Sequence, residues 1–198
     1  VGDQPHIRLA PDFTNLLTVE EWINEASLRV PEDGDFAVVV PNSRMLDKVD
    51  TVRSQKYIDH MNLLVNQTRE RGLKTAMLLF DPNDARFAGR IFVDRVITEQ
   101  NPRILKAIIG KARLVISSRF HALVCALTQA VPAIASGWSH KYQALFEDYG
   151  CPQCLLDVLD PPERVRAALS YVLDEPNRAN LIDTLKKREE EIRKRVHI

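Results

Sequence analysis

A chain of 198 residues is long enough to bury a substantial core, as one large or two small domains. Its 45% hydrophobic and 27% charged residues fit a soluble globular protein. The 27 basic and 27 acidic side chains leave no net charge to favour a nucleic-acid or anionic-membrane partner, though a local basic pocket is compatible with that balance.

No apolar run is long enough to span a bilayer, and residues 1–30 lack the basic start and apolar stretch of a signal peptide. An odd set of cysteines, Cys125, Cys151 and Cys154, favours a reducing compartment over a disulfide framework. Cys151-Pro-Gln-Cys154 is a CxxC without a second pair or nearby His, and a structural role is the better reading. The chain begins Val-Gly rather than Met, as a processed product or a cropped piece of a longer protein would.

In chain order, His6 to Leu9 is a possible edge strand and Val19 to Ala26 a short helix; these first thirty residues are patterned least clearly. Phe36 to Val40 is a β-branched apolar run stopped by Pro41, a buried strand. Asp47 to Arg71 has helical spacing, with Tyr57, Met61, Leu64 and Val65 on one face and Gly72 at its end. Thr75 to Phe80 reads as the next strand. Ala88 to Glu99 reads as containing a helix, from Ile91, Val96 and Ile97, and Ile104 to Gly110 as a second.

Leu114 to Ser117 is a third strand, followed by a helix from Phe120 to about Gln129 and a strand over Ala133 to Ala135. Lys141 to Tyr149 is helical, Leu155 to Val158 a last short strand, and Pro161-Pro162 opens a helix to Leu173. Asn177 to Arg195 is a charged helix with Leu181, Leu185 and Ile192 spaced for packing. Strands alternating with helices predict an α/β fold: a Rossmann-like, mostly parallel sheet with helices on both faces.

In such sheets ligands bind beyond the carboxyl ends of the strands, where helices begin. Ser117, Ser118, Arg119 and His121 fall at such a junction, where free N–H groups and the helix dipole favour anions. Arg119 adds a planar fork for carboxylate or phosphate. An imidazole at His121 can transfer protons near neutral pH. Lys141 takes the equivalent position after the next strand, and neighbouring parallel strands bring such corners together. The plainer alternative is that His121 is a hydrogen-bonded surface residue, Arg119 pairs with Glu147 or Asp148, and His140-Lys141 is a solvated helix start. No His/Cys/Asp cluster has metal-ligand spacing, so no metal is expected.

Ser118-Arg-Phe-His-Ala-Leu123, Gln129-Ala-Val-Pro-Ala-Ile134 and Gly137-Trp-Ser-His-Lys-Tyr142 together resemble the signature of the polysaccharide pyruvyl transferase family, as does the separation of His121 from Lys141. Ala10-Pro-Asp12, Val40-Pro-Asn-Ser-Arg44 and Pro82-Asn-Asp84 extend the likeness more loosely. The resemblance implies transfer of a 1-carboxyethylidene group from phosphoenolpyruvate onto two hydroxyls of a sugar, closing a cyclic ketal. It implies no cofactor, phosphoenolpyruvate being the donor substrate, and a saccharide or lipid-linked glycan as acceptor. It also implies a cytoplasmic location, at most peripheral to the inner face of the membrane. The fold implied is one half of a GT-B enzyme, the C-terminal one, which leaves an N-terminal half or a second copy of the chain to supply the facing wall.

Under that reading His121 is the general acid that protonates the donor's methylene carbon. Arg119 grips carboxylate or phosphate, and Lys141 neutralises charge on the departing phosphate. Ser118, Arg44, Asn42 and Ser43 are further contacts to donor or sugar, although turns select Asn and Ser for their own reasons. Asp84 either orients a hydroxyl or His121, or caps a helix. Trp138 either stacks on a sugar or forms a wall, and His140 at most supports Lys141. His6, His60 and His197 show no partner pattern. Two rival functions are a nucleotide-sugar glycosyltransferase, whose usual Gly-rich turn is missing here, and a non-catalytic module that binds an anionic glycan or a protein.

Overall fold

The computed structural model describes residues 17–30, 35–47, 50–137 and 139–196. The edge strand expected over His6 to Leu9, the Ala10-Pro-Asp12 piece, and Trp138 lie outside the described residues. Helix α1 (Ile23–Ser27) follows a single turn of 3₁₀ helix and precedes strand β1 (Phe36–Val40). The chain continues through α2 (Arg44–Asp47), α3 (Thr51–Glu70), β2 (Lys74–Leu79), β3 (Arg95–Thr98), α4 (Pro102–Gly110) and β4 (Leu114–Ser117). It ends with α5 (Phe120–Leu127), β5 (Ala133–Ser136), α6 (His140–Asp148), β6 (Leu155–Leu156), α7 (Pro162–Leu173) and α8 (Asn177–Val196).

The six strands form one parallel sheet in the order β3-β2-β1-β4-β5-β6. This is the doubly wound Rossmann arrangement, with helices on both faces. Strands β1, β4 and β5 are buried at every position, because a parallel sheet covered on both sides offers no wet face. That explains the unbroken run Phe36-Ala-Val-Val-Val40. Tyr57, Met61, Leu64 and Val65 of α3 are fully buried beneath the sheet. Leu181, Leu185 and Ile192 of α8 are buried as their spacing predicts, and each such side chain contributes about 1.5–3 kcal/mol on leaving water.

Three expectations need correction. The helix expected from Asp47 to Arg71 begins only at Thr51, Asp47 being the last residue of the preceding helix α2. Asp50 adopts an extended conformation and its carboxylate accepts from the Arg53 N–H at 2.9 Å, so it caps α3 rather than lying within a longer helix. No helix occupies Ala88 to Glu99. Gly89 takes a positive φ of 76°, Ala88 and Ile91 form an isolated bridge, and Arg95–Thr98 becomes the edge strand against β2. Asp94 holds this strand's start in place, accepting from the Thr75 N–H and Oγ1 at 2.8 Å each. The strand expected over Leu155 to Val158 is only two residues long.

The order of the sheet fixes where a ligand can sit. From β1 the chain winds outward to β2 and β3, then crosses back so that β4 pairs with the other side of β1. The connections leaving β1 and β4 therefore diverge, and a crevice opens between them at their carboxyl ends. Val40 is paired with Ser117, and the Ser118 N–H and Ser117 hydroxyl both donate to the Val40 carbonyl at 3.1 Å. Pro41-Asn42-Ser43 and Ser118-Arg119-Phe120 thus emerge side by side.

Candidate functional site

A cavity of about 270 Å³ occupies this crevice, lined by Asn42, Ser43, Arg44, Phe80, Asp81, Arg119, Phe120, His121, Lys141 and Tyr142. The corners after β1, β2, β4 and β5 all contribute. Six of the residues singled out in the sequence, Asn42, Ser43, Arg44, Arg119, His121 and Lys141, are brought together here. Ser118 and Asp84 are fully buried behind the lining. His140 is exposed at the start of α6 and does not line the cavity.

Asp84, not Glu147 or Asp148, is the partner of Arg119. The Arg119 Nε donates to Asp84 Oδ2 at 2.9 Å and to the Pro41 carbonyl at 3.1 Å, while Nη2 donates to Asp84 Oδ1 at 2.6 Å. The same Oδ1 accepts the Ser43 N–H at 3.2 Å. A wholly buried carboxylate therefore ties the corner after β1 to the corner after β4 and holds the guanidinium at the cavity wall. Asp84 does not cap the 3₁₀ turn that contains it. Asp81 does, accepting the Asn83 N–H at 2.8 Å.

Arg44 and Lys141 are exposed at the rim, and among the described residues neither pairs with a carboxylate. The Lys141 ammonium instead lies 4.8 Å from the Phe120 ring centroid and 5.6 Å from that of Tyr142. His121 is exposed in the first turn of α5, its ring edge-on to Phe120 with centroids 5.7 Å apart. Helices α5 and α6 both begin at this wall, and neither has a side-chain cap. Their first N–H groups add to the positive potential. Among the described lining residues Asp81 is the one acidic side chain.

Behind the wall runs a polar network that the sequence did not reveal. Tyr57 Oη lies 2.6 Å from Ser118 Oγ and accepts the Asn42 N–H at 3.3 Å. The Ser118 carbonyl accepts from Tyr142 Oη at 2.8 Å and from Asn42 Nδ2 at 3.0 Å. Burial pushes both phenols up, which keeps them protonated as donors. Asn42 is thus mainly a strut between β1 and β4. Tyr142 reaches from the corner that carries Lys141 to the corner that carries Arg119 and His121. On sequence alone Tyr57 could not be told from its apolar neighbours on the buried face of α3.

His60, which had shown no partner pattern, is buried with Nε2 2.8 Å from Ser136 Oγ at the end of β5. Burial lowers its pKa to about 4, against the opposing pull of Asp160 and Asp157. Cys151 and Cys154 are buried free thiols; hydrogen bonding to Cys151 and then burial push the Cys154 thiol up, as suits a structural pair. Among the described residues no helix is long and apolar enough to cross a membrane, and no His/Cys/Asp/Glu group could hold a metal ion.

Two solved glycosyltransferases share this architecture. One is the glycotransferase of kitacinnamycin, with a TM-score of 0.54 at 14% identity over 84% of this chain and 41% of that one. The other is the glycosyltransferase VinC, solved in complex with DTDP, with a TM-score of 0.51 at 15% identity over 88% of this chain and 41% of that one. The chain spans about two fifths of the length of these proteins, and at such identities the likeness is one of fold, a Rossmann-like unit of the kind that makes half of a GT-B enzyme. Residues 2–140 match the polysaccharide pyruvyl transferase family. The match takes in the corners after β1, β2 and β4, including Arg119 and His121, and stops one residue before Lys141. Covering well over half of its residues, it establishes that the chain belongs to the polysaccharide pyruvyl transferase family.

Proposed function

We propose that this chain binds phosphoenolpyruvate in the cavity between β1 and β4 and transfers its pyruvyl group, as a ketal, to two hydroxyls of a saccharide in glycan biosynthesis. The observation that carries this is the gathering of Arg44, Arg119, His121 and Lys141 around one small cavity, with two uncapped helix starts beside them. Arg44 and Lys141 have no carboxylate partner among the described residues, so an anionic ligand is the natural occupant. Phosphoenolpyruvate carries a carboxylate and a phosphate, and such a ligand needs several separated cations.

In this reading His121 donates a proton to the methylene carbon, and the adjacent carbon becomes an oxocarbenium-like centre. One sugar hydroxyl adds there and gives up its proton. Phosphate then departs, with Lys141 and Arg44 stabilising its charge, and a second hydroxyl closes the ring as its proton is released. Arg119, held by Asp84, orients the donor's carboxylate. In this reading a facing half or a partner copy supplies the other wall of the cleft.

Calorimetric titration with phosphoenolpyruvate tests donor binding. Phosphate release in the presence of β-linked sugar acceptors tests transfer. His121→Gln should lower turnover at least about a hundredfold while sparing donor affinity. Normal turnover in that variant removes His121 from the role. Release of a nucleoside diphosphate from a sugar nucleotide would assign the chain to the glycosyltransferases instead.

A further inference from the structure

A second cavity of about 270 Å³ lies at the carboxyl ends of β2 and β3 and shares Phe80 and Asp81 with the first. We propose that it holds a pyranose ring of the acceptor saccharide, an inference that rests on the donor reading above. The two cavities differ in charge. Among the described residues no cation lines the second, so it is unsuited to a donor that carries both a carboxylate and a phosphate. Its acidic residues among those described are Asp81 and Glu99, and both carboxylate oxygens of Glu99 are engaged. Glu99 Oε1 accepts the N–H groups of Gln100 and Asn101 at 2.8 and 2.9 Å, and Oε2 pairs with Arg29 at 2.7 Å.

What remains matches an uncharged polyol. The half-buried Phe80 ring and Pro82 offer an apolar surface to the C–H face of a sugar. Thr98 and Gln100 are exposed, and among the described residues neither the hydroxyl nor the side-chain amide is engaged. They can hydrogen-bond ring hydroxyls. Asp81 stands where the cavities meet. Its Oδ1 is held by the Asn83 N–H, which leaves Oδ2 to accept from a hydroxyl directed toward the donor. Transfer requires the attacking oxygen to approach the donor carbon within about 3–3.5 Å, so a sugar site must adjoin the donor site. This cavity does so through a shared wall.

The test is an amide-resolved NMR titration of the 198-residue chain with methyl β-galactoside, methyl β-glucoside and methyl β-mannoside, repeated with phosphoenolpyruvate and with uridine as an uncharged nucleoside probe. At least one glycoside should shift the amides of Phe80, Asp81, Thr98 and Gln100. Gln100→Ala should weaken that binding about tenfold and leave phosphoenolpyruvate affinity unchanged, and Phe80→Ala, in the shared wall, should weaken it by a similar factor. Gln100→Ala and Thr98→Val alter exposed side chains, so they report on the site should Phe80→Ala unfold the chain. Glycoside shifts elsewhere, no glycoside shifts at all, or uridine shifting these amides in place of the glycosides overturns the proposal. Phosphoenolpyruvate binding without glycoside binding refutes this inference alone. Glycoside binding here without phosphoenolpyruvate binding refutes the donor reading and leaves the saccharide site standing.

Discussion

Asp84 has no solvent exposure, whereas Arg119 keeps 22% of its side-chain surface. Removing one partner is therefore unequal to removing the other. Arg119→Ala strands a buried carboxylate and should cost about 3–5 kcal/mol. Asp84→Asn leaves a guanidinium that water can reach and should cost clearly less, while loosening the arginine. Urea denaturation of the two variants checks the order; equal losses would mean that Asp84 is solvated. His60 carries a second prediction. Its pKa falls from the ordinary 6.5 to about 4. Above pH 6.5 both folded and unfolded chains hold a neutral imidazole. Between 6.5 and 4 the unfolded chain takes up the proton and the folded one resists it. Stability is then lost as pH falls through this window, by about 3 kcal/mol in all. Denaturation across the window should show a steeper slope for the native chain than for His60→Gln; parallel slopes would deny His60 this part.

Among the elements, the joint between the corners after β4 and β5 matters most for the site, and Tyr142 makes it. A methyl group on Gly137 would meet the Tyr142 ring at 3.0 Å, so Gly137→Ala requires the ring to give by a few tenths of an ångström. The expected result is a stability loss of about 1–3 kcal/mol from overpacking, with weaker phosphoenolpyruvate binding as Lys141 moves away from Arg119. Tyr142→Phe keeps the ring and loses the hydroxyl's bond to the Ser118 carbonyl, which Asn42 still serves, at a cost of about 1 kcal/mol. Calorimetry should find Gly137→Ala the more damaging to donor affinity; the reverse order would place the importance of Tyr142 in its hydroxyl. Strand β3 is the element whose sequence points to a helix. Ile91 and Ile97 are buried while Val96 is 43% exposed, a pattern compatible with helical spacing over a short window. The positive φ at Gly89 and the side-chain bonds of Asp94 to Thr75 decide for an edge strand, and the latter exist only once β2 is alongside.

For the molecule as a whole, a cavity at whose rim Arg44 and Lys141 have no carboxylate partner among the described residues should make stability depend on anions. Phosphoenolpyruvate at a hundred times its dissociation constant should add about 2.7 kcal/mol, and raise the melting temperature by roughly 5–10 °C. Pyruvate or phosphate at equal concentration should do less, and added salt should shrink the effect by screening. Thermal melts in the three ligands check this, and an equal shift from pyruvate would deny a phosphate contact. Much of this architecture was legible in the residues. The apolar runs at Phe36, Thr75, Leu114 and Ala133 specify buried parallel strands, and the Ser118-to-Tyr142 block marks the two corners that carry Arg119, His121 and Lys141. Local order is encoded by neighbours a few positions apart, so a sequence can display it. The pairing of Arg119 with Asp84, the struts from Tyr57 and Tyr142, and the burial of His60 against Ser136 join residues distant along the chain. Only the strand order β3-β2-β1-β4-β5-β6 brings them together, and that order is a property of the packed sheet rather than of any segment within it.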